Sequence, residues 1–210
     1  MGRSPQVVVF DYGFGNVRSA ERALRRVGCD AQISDDPARA RAAAGLVVPG
    51  VGAFDACAQG LRAAGGPGII ADRLANQAPV LGICVGLQVM FDSGDEHGVI
   101  SQGLGYWPGA VTKLPHPILP QIGWNTISVP ADSTLFADAG EERFYFVNSY
   151  AAQQWSDRGP RGPAQVTWAE YGAPFVAAVE QGALAATQFH PEKSGLAGLQ
   201  VLANWRAGLS

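Results

Sequence analysis

The residue with the clearest capacity for chemistry is Cys84, which lies between two glycines in Gly82-Ile83-Cys84-Val85-Gly86. The apolar run Pro79-Val80-Leu81 before it predicts a buried strand, and Leu87-Gln88-Val89-Met90-Phe91 after it predicts the first turns of a helix. Strand, Gly-x-Cys-x-Gly and helix form the nucleophile-elbow pattern, with cysteine in place of serine. A helix N-terminus also favours the reactive thiolate. An ordinary buried thiol is the alternative, but the flanking glycines and the strand-to-helix switch favour a catalytic nucleophile.

A catalytic cysteine needs a base, and the chain contains three histidines, His97, His116 and His190. His190 follows the predicted strand 185–189, so it lies at the carboxyl edge of the sheet, where the Cys84 elbow is also expected. An imidazole there can take the thiol proton and later protonate a leaving amine. Glu192 can accept a hydrogen bond from the other ring nitrogen and orient the ring. The other two histidines lie in turn-like segments, and we expect neither to be catalytic.

Acyl transfer also needs donors for the oxyanion of the tetrahedral intermediate. The backbone N–H of Val85, directly after the nucleophile, is one candidate. The segment Pro49-Gly50-Val51-Gly52 ends a neighbouring predicted strand at the same edge. Its glycines allow the N–H of Val51 or Gly52 to point into the site. An anion-binding glycine loop is the competing interpretation of this segment.

The elements that must position these residues alternate between strand and helix in the first half of the chain. Strands are predicted at 6–12, 31–33, 46–48 and 79–81, and helices at 17–27, 38–44, 54–62 and 69–77, with Asn16 and Asp36 as N-caps of the first two helices. This α/β alternation implies a mostly parallel central sheet flanked by helices. In the second half, short runs separated by turns predict additional antiparallel strands at 110–112, 126–129, 143–147, 165–168, 175–179 and 183–187. A last helix is predicted at 195–205, and residues 1–210 are expected to form a single domain.

The composition excludes several classes of protein. Of 210 residues, 47% are hydrophobic and 16% charged, which indicates a globular chain. The net charge of -3 gives no reason to expect a nucleic acid or an anionic membrane as partner. Three cysteines without Cys-x-x-Cys spacing argue against a disulfide framework or a zinc site. Residues 1–5 contain no apolar signal region, and no apolar run is long enough to span a membrane. We therefore expect a cytoplasmic protein, and no cofactor or metal is implied.

Beyond these features, the chain resembles the triad-type (class I) glutamine amidotransferases, and among them the glutaminase subunits of imidazole glycerol phosphate synthase. The elbow and His-Pro-Glu are shared by all triad amidotransferases, whereas Asp-Tyr-Gly-x-Gly-Asn, Gly-Trp-Asn and Gln-Phe-His-Pro-Glu-Lys-Ser are narrower. The matching segments span nearly the whole chain and are Asp11-Tyr12-Gly13-Phe14-Gly15-Asn16, Pro49-Gly50-Val51-Gly52-Ala53-Phe54, Gly82-Ile83-Cys84-Val85-Gly86-Leu87-Gln88, Gly123-Trp124-Asn125, Tyr145-Phe146-Val147-Asn148-Ser149-Tyr150 and Ala186-Thr187-Gln188-Phe189-His190-Pro191-Glu192-Lys193-Ser194-Gly195.

The resemblance implies that L-glutamine is hydrolysed through a thioester on Cys84, with His190 and Glu192 completing the triad. Ammonia would pass to a cyclase subunit with the fold of a (β/α)8 barrel, in a one-to-one heterodimer. There it would be used to form imidazole glycerol phosphate and an aminoimidazole carboxamide ribotide in histidine biosynthesis. The resemblance also suggests that hydrolysis is nearly off until the cyclase is bound and loaded. The glutamine-binding residues implied in this way are Gly50, Gly52, Gln88, Ser149 and Tyr150. The partner-interface residues implied are Tyr12, Phe14, Asn16, Gln121, Trp124, Asn125 and Lys193.

Two segments depart from the usual pattern of this family. The usual Pro-His-Met before Gly-Trp-Asn is replaced by Pro120-Gln121-Ile122, and the usual Val-His before Ser-Tyr is replaced by Val147-Asn148. Neither belongs to the triad, so they bear on partner docking and site polarity. Three other interpretations remain: a glutaminase that serves another synthase, such as the one that makes pyridoxal phosphate; a stand-alone cysteine hydrolase; and a catalytically silent scaffold. The first should lack Gly-Trp-Asn, and the intact triad argues against the last.

Overall fold

The computed structural model describes residues 4–139, 142–156 and 162–209 of the chain. Strands and helices are numbered in chain order. The strands are β1 (Gln6–Phe10), β2 (Asp30–Ser34), β3 (Gly45–Gly50), β4 (Val80–Cys84), β5 (Phe91–Glu96), β6 (Val99–Gln102), β7 (Trp107–Lys113), β8 (Gln121–Thr126), β9 (Arg143–Asn148), β10 (Tyr150–Ala152), β11 (Gln165–Glu170), β12 (Pro174–Gln181) and β13 (Leu184–Thr187). The helices are α1 (Val17–Arg26), α2 (Pro37–Ala42), α3 (Phe54–Ala63), α4 (Gly66–Ala75), α5 (Val85–Gln88), α6 (Gly195–Ala207) and a 3-10 turn at Pro191–Lys193.

A seven-stranded sheet organises the fold, with the strand order β11-β12-β13-β4-β3-β1-β2. The strands from β13 to β2 run parallel, whereas β11 and β12 form antiparallel pairs at one edge. This arrangement confirms the predicted α/β class, with a mostly parallel central sheet and antiparallel strands from the second half of the chain. β4, which ends at Cys84, lies between β3 and β13, so the strand ends that carry the predicted site are neighbours.

The apolar runs of the central strands account for their position in the sheet. Every residue of β3 and β4 is buried, and so are the last four residues of β1. A strand that is buried at every position has both of its faces covered, as is usual in parallel sheets. α1 instead buries a stripe formed by Ala20, Ala23 and Leu24 and exposes its arginines, as a helix that packs on a sheet does.

The helix predicted after Cys84 is much shorter than the sequence indicates. α5 ends after a single turn, and Phe91 already begins β5. The backbone N–H of Leu104 donates to the carbonyl of Val89, and those of Tyr106 and Trp107 donate to the carbonyl of Met90. These two carbonyls are therefore engaged outside the helix, which ends. The apolar run after the elbow thus leads into a second, four-stranded sheet with the order β10-β7-β5-β6.

The strand predicted at 126–129 is also displaced. The observed strand β8 pairs antiparallel with β9 over six residues, and Thr126 opposite Arg143 is the last pair. Residues beyond Thr126 have no strand partner in β9, although Ser128 forms an isolated bridge with Trp168. The Gly-Trp-Asn motif therefore lies within a two-stranded sheet and not in a turn before a strand.

The two predicted helix caps differ in outcome. Asp36 caps α2, because its Oδ1 accepts a hydrogen bond from the N–H of Ala38 at 2.8 Å. Asn16 occupies the N-cap position of α1, but within the described part of the chain its side chain makes no cap hydrogen bond. Its ψ of 60° departs from the extended conformation that brings a cap side chain onto the first N–H groups of a helix.

The structure bears on the membrane prediction only through its described residues. Among these, none of the helices is both long and apolar enough to cross a bilayer. Residues 1–3, which are part of the N-terminus considered for a targeting signal, lie outside the described ranges.

Candidate active site

The Cys84 elbow makes the sharp turn that its flanking glycines predict. Cys84 has a φ of 58° and a ψ of −113°, a strained conformation for a residue with a side chain. Gly86 approaches β3 so closely that a Cβ atom there would lie 2.0 Å from the carbonyl oxygen of Val48, which only glycine permits. Gly50 lies beside Cys84 in the β3–β4 register. The elbow therefore packs directly against the strand that leads into residues 49–52, which we term the glycine segment.

His190 and Glu192 lie at the same edge of the sheet because β13 runs parallel to β4. The Nδ1–H of His190 donates to Oε1 of Glu192 at 2.8 Å, and the two side chains are only 4% and 2% exposed. The ring also lies close enough to the Cys84 side chain to interact with it. With Nδ1 on the carboxylate, Nε2 is the ring atom that can exchange a proton with the thiol.

Two opposing effects set the protonation of His190. Burial lowers its pKa, whereas hydrogen bonds to Cys84 and Glu192 and the negative charges of these groups raise it. The balance raises the pKa of His190 to about 9. The ring is therefore protonated beside Cys84 at neutral pH, and an imidazolium in that position can give a proton to a leaving group.

The main chain around His190 is fixed by its neighbours. Its N–H donates to the carbonyl of Tyr145 at 3.0 Å, and its carbonyl accepts from the Ser194 hydroxyl at 2.7 Å. Ser194 in turn accepts from the N–H of Tyr145 at 2.9 Å and is buried. These bonds tie the loop after β13 to β9, so the imidazole is held in place before any substrate binds.

Gln188 contacts the candidate nucleophile, although no sequence pattern predicts a role for it. Its Nε2 is oriented to donate to Sγ of Cys84 at 3.8 Å, and its Oε1 accepts from Nε2 of Gln88 at 3.0 Å. Gln88 also donates to the carbonyl of Tyr150 at 2.9 Å. Both glutamines are buried. A buried polar residue at the end of an apolar strand is the signal that could have identified Gln188.

A cavity of about 440 Å³ opens over Cys84. It contains the predicted oxyanion residues Val85, Val51 and Gly52, and Gly52 has a φ of 93°, which favours glycine. The predicted glutamine-binding residues at the cavity are Gly52, Gln88, Ser149 and Tyr150. Gly50 lies beside Cys84 in the sheet. The structure therefore brings these residues together, and their individual roles stay predictions.

Glu96 and His97 also line this cavity, although neither was predicted as a site residue. They belong to the tight connection between β5 and β6. Oε2 of Glu96 accepts from the N–H of Phe54 at the start of α3, at 3.0 Å, and the His97 ring contacts Tyr150 edge-on at 5.9 Å between centroids. No local sequence signal marks these residues, because the pairing of the second sheet is what places them over Cys84.

The residues predicted at a partner interface lie in two different environments. Trp124 is 50% exposed, Lys193 is exposed, and Phe14, Asn16 and Asn125 are partly exposed. The side chains of Tyr12 and Gln121 are instead 7% and 4% exposed. Their side chains are therefore nearly withdrawn from the surface, and a contact of these two residues with a partner stays a prediction.

The two departures from the family pattern are neighbours in space. Gln121 and Asn148 lie opposite each other in the β8–β9 register, and both are buried. Nδ2 of Asn148 donates to the carbonyl of Tyr150 at 3.3 Å. Among the described residues, Oε1 of Gln121 and Oδ1 of Asn148 have no hydrogen-bond partner. The departures therefore alter the interior of the β8–β9 pair, and Asn148 lines the cavity.

Comparison with known proteins identifies close relatives over almost the whole length. The chain is 58% identical over 208 residues to the imidazole glycerol phosphate synthase subunit HisH of Leifsonia xyli subsp. xyli, with 98% of this chain and 100% of that protein covered. It is 56% identical over 208 residues to the subunit of the same name from Streptomyces coelicolor, with 97% and 94% covered. The HisH subunit of Mycobacterium bovis is 57% identical over 204 residues, with 97% and 98% covered.

Solved structures agree in fold at low sequence identity. A crystal structure of a glutamine amidotransferase has a TM-score of 0.74 at 20% identity and covers 97% of this chain and 99% of its own. The structure of PurLQS from Thermotoga maritima contains a chain with a TM-score of 0.69 at 19% identity, with 96% and 97% covered. The family model for class-I glutamine amidotransferases matches residues 8–206. The chain therefore belongs to the class-I glutamine amidotransferases and, within them, to the family of HisH subunits of imidazole glycerol phosphate synthase.

Proposed function

We propose that this chain is the glutaminase subunit of an imidazole glycerol phosphate synthase, which hydrolyses L-glutamine to glutamate and ammonia. The observation that carries the proposal is the buried triad beneath the cavity. There the elbow holds Cys84 next to a protonated His190, and Glu192 orients the ring at 2.8 Å. This arrangement suits nucleophilic attack on an amide and protonation of its leaving group.

In the first half of the proposed reaction, the Cys84 thiolate attacks the side-chain amide carbon of glutamine and forms a C–S bond. The amide oxygen becomes an oxyanion, for which the N–H groups of Val85 and of Val51 or Gly52 are the proposed donors. His190 gives its proton to the amide nitrogen, the C–N bond breaks, and ammonia leaves. The product is a thioester on Cys84.

In the second half, water attacks the thioester carbon while the now neutral His190 accepts one of its protons. The second tetrahedral intermediate uses the same oxyanion donors. When the C–S bond breaks, glutamate is released and the thiolate returns beside the imidazolium. The Gln188 amide, 3.8 Å from the sulfur, adds a donor that favours the thiolate as leaving group.

The charges at the cavity suit a free amino acid, which carries an ammonium and a carboxylate group. Glu96 brings a carboxylate to the lining, and Lys193 brings an ammonium group. Gln88 uses its amide hydrogens on Gln188 and Tyr150, which leaves its oxygen as the acceptor for a substrate N–H. We propose that the substrate is further held by Gly50, Gly52, Ser149 and Tyr150.

The proposal includes a partner, the cyclase, which would have the fold of a (β/α)8 barrel, bind one-to-one and use the ammonia. Support comes from an exposed apolar patch formed by Ile122, Trp124 and Leu196, which are 64%, 50% and 81% exposed. A Cβ atom on Gly195 would lie 3.8 Å from the Trp124 ring, so the start of α6 and β8 contribute to one surface. Apolar side chains grouped in this way mark a protein interface. Phe14, Asn16, Asn125 and Lys193 are the other proposed contacts.

A cytoplasmic location is part of the same proposal. Cys29, Cys57 and Cys84 are all free thiols in the structure, which is the usual state in a reducing compartment.

The test is steady-state glutamine hydrolysis by the isolated chain and by its equimolar mixture with a cyclase subunit, with and without the cyclase ligand. We expect slow hydrolysis by the isolated chain and an acceleration of ~10²–10³ in the loaded complex, the effect of gaining one oxyanion donor. Cys84→Ala should abolish hydrolysis, whereas Cys29→Ala removes another buried thiol and should not. Equal rates with and without the cyclase would favour a stand-alone hydrolase, and an active Cys84→Ala variant would contradict the proposed nucleophile.

A further inference from the structure

Two buried side chains outside the triad donate hydrogen bonds to the glycine segment. The hydroxyl of Tyr12 donates to the carbonyl of Pro49 at 2.6 Å, and the thiol of Cys57 donates to the carbonyl of Val51 at 3.2 Å. Cys57 is fully buried, and Tyr12 almost so. Neither group takes part in the reaction steps proposed above, yet both bond to the segment that carries candidate oxyanion donors.

Each of these groups has a single proton to donate, so its protonation state decides whether it can hold a carbonyl. Burial raises the pKa of the Tyr12 hydroxyl far above its usual value, and it raises the pKa of the Cys57 thiol to about 11. Both groups are therefore donors at neutral pH. The hydroxyl and the thiol also lie close enough to each other to interact, so the two donors are neighbours.

The two bonds have a geometric consequence for the glycine segment. In a trans peptide, the carbonyl of one residue and the N–H of the next lie in one plane and point in opposite directions. Holding the Pro49 carbonyl therefore orients the N–H of Gly50, and holding the Val51 carbonyl orients the N–H of Gly52. The peptide between them, which carries the N–H of Val51, is held by neither side chain.

We propose that Tyr12 and Cys57 are positioning residues for glutamine hydrolysis: they anchor the peptide planes on either side of Val51 and so confine rotation of the segment to the Val51 N–H. Glycine at position 50 tolerates that rotation. The inference rests on the proposed glutaminase function, because it concerns how the oxyanion donors are aimed. The two buried donors, which the reaction steps do not otherwise use, would then share one effect. They would stabilise the transition state and leave the binding of glutamine unchanged.

The same anchors connect the glycine segment to the predicted partner surface. Tyr12 belongs to the loop 11–16, whose Phe14 packs so closely on α3 that a Cβ atom on Gly60 would lie 2.5 Å from its ring. α3 also carries Cys57. A Cβ atom on Gly15 would lie 2.9 Å from the Pro49 side chain. A contact made with this loop thus reaches the segment through Tyr12, although Tyr12 itself is buried.

The test compares Tyr12→Phe, Cys57→Ala and Cys57→Ser in the complex with the cyclase. Tyr106→Phe and Cys29→Ala are matched controls, since they alter a tyrosine hydroxyl near the carbonyl of Pro67 and another buried thiol. Three quantities are measured: kcat and KM for glutamine hydrolysis, and the rate at which iodoacetamide alkylates Cys84. Alkylation displaces iodide from carbon and passes through no oxyanion, so it reports thiol reactivity alone.

We expect Tyr12→Phe and Cys57→Ala each to lower kcat about tenfold, because an oxyanion donor that is aimed less well loses part of the ~10²–10³ that a full donor contributes. KM and the alkylation rate should stay within about twofold, as should every value for the two controls. Cys57→Ser keeps a donor of similar size and should retain kcat. In the double variant Tyr12→Phe/Cys57→Ala, the loss should be smaller than the product of the single losses, because both anchors act on one segment.

Parallel losses in hydrolysis and alkylation would overturn the inference, and so would unchanged kcat in both single variants. A Cys57→Ser variant as slow as Cys57→Ala would overturn it too, because the donor would then be irrelevant. If Tyr12→Phe fails to fold, the comparison of Cys57→Ser with Cys57→Ala still decides. Failure of the proposed function is distinguishable, since the unsubstituted chain with its cyclase would then hydrolyse no glutamine.

Discussion

At the residue scale, His190 and Glu192 make contributions that substitution can separate. His190→Ala should lower kcat for glutamine hydrolysis by roughly two to four orders of magnitude, the usual effect of a positioned acid–base group. Glu192→Gln should cost less, because the imidazole stays in place and loses only the charge and alignment supplied at 2.8 Å. His116→Ala is the matched control, since the His116 ring packs on Tyr171 and not at the cavity. A larger loss for Glu192→Gln than for His190→Ala would contradict these roles.

The raised pKa of His190 also predicts how stability depends on pH. The pKa of about 9, against an ordinary value of 6.5, means that folding favours the protonated ring. The resulting stabilisation is fully present below pH 6.5 and is lost as the pH rises through 9, by at most about 3 kcal/mol. Urea unfolding of the wild type and of His190→Gln at about pH 6.5, 7.5 and 9 measures this effect, because the titrations of groups that do not interact with His190 cancel. Parallel stability curves for the two proteins would refute the prediction.

Whether a site residue could be predicted depends on whether its signal is local. Cys84 and His190 lie in short motifs whose backbone geometry follows from adjacent glycines and from the end of a strand, and the structure brings their side chains together. Gln188 follows β13, as His190 does, but its role depends on its contact with the Cys84 sulfur. Glu96 and His97 reach the cavity only through pairing within the second sheet. No pattern confined to their own segment carries that information.

At the scale of elements, the β8–β9 pair contains a buried acceptor without a partner in the described part of the chain; this acceptor lowers the free energy of unfolding, and a substitution can remove it. Oε1 of Gln121 is buried and, within the described ranges, lacks a hydrogen-bond partner. An unsatisfied buried acceptor destabilises the folded state by about 1–3 kcal/mol. Gln121→Met keeps the length of the side chain and should therefore raise the free energy of unfolding by about 1 kcal/mol, measured by urea denaturation.

The control for this prediction is Gln32→Met on β2, where the glutamine is exposed. That substitution should change the free energy of unfolding by less than about 0.5 kcal/mol. A loss of stability in Gln121→Met would mean that the amide makes a favourable interaction inside the β8–β9 pair, contrary to the prediction.

The strands were predictable where their residue composition matches the burial that they have in the fold. The central strands are apolar throughout and buried on both faces, so both their existence and their parallel arrangement follow from the sequence pattern. β5 was missed because Phe91 is followed by Asp92, Ser93 and Gly94, which rarely favour a strand. Pairing with β6 and β7 overrides that local preference. The same tertiary pairing ends α5 after one turn, which neither helix propensity nor the apolar run could indicate.

At the scale of the whole molecule, the catalytic cavity and the apolar patch adjoin the same short stretch of chain. Glu192 belongs to the proposed triad, Lys193 lines the cavity, and Leu196 lies a few residues further on in the patch. A partner seated on the patch would therefore lie next to the site that releases ammonia.

The importance of the patch can be tested through its aromatic residue. Trp124 is half exposed and contacts Tyr145 edge-on at 5.9 Å between ring centroids, so its ring is held in position before a partner binds. Preordered, exposed tryptophans are typical anchors of interfaces, and truncating one commonly costs about 2 kcal/mol or more. Trp124→Ala should therefore weaken binding of the cyclase by roughly 30-fold or more in calorimetric titration.

Ile100→Ala is the control, because Ile100 is equally apolar and 77% exposed but belongs to β6, outside the patch. Equal affinities of the two variants for the cyclase would show that Trp124 is not part of the interface. If only Trp124→Ala binds the cyclase more weakly, and Cys84 is alkylated at the same rate as in the wild type, then Trp124 acts on docking and not on the triad.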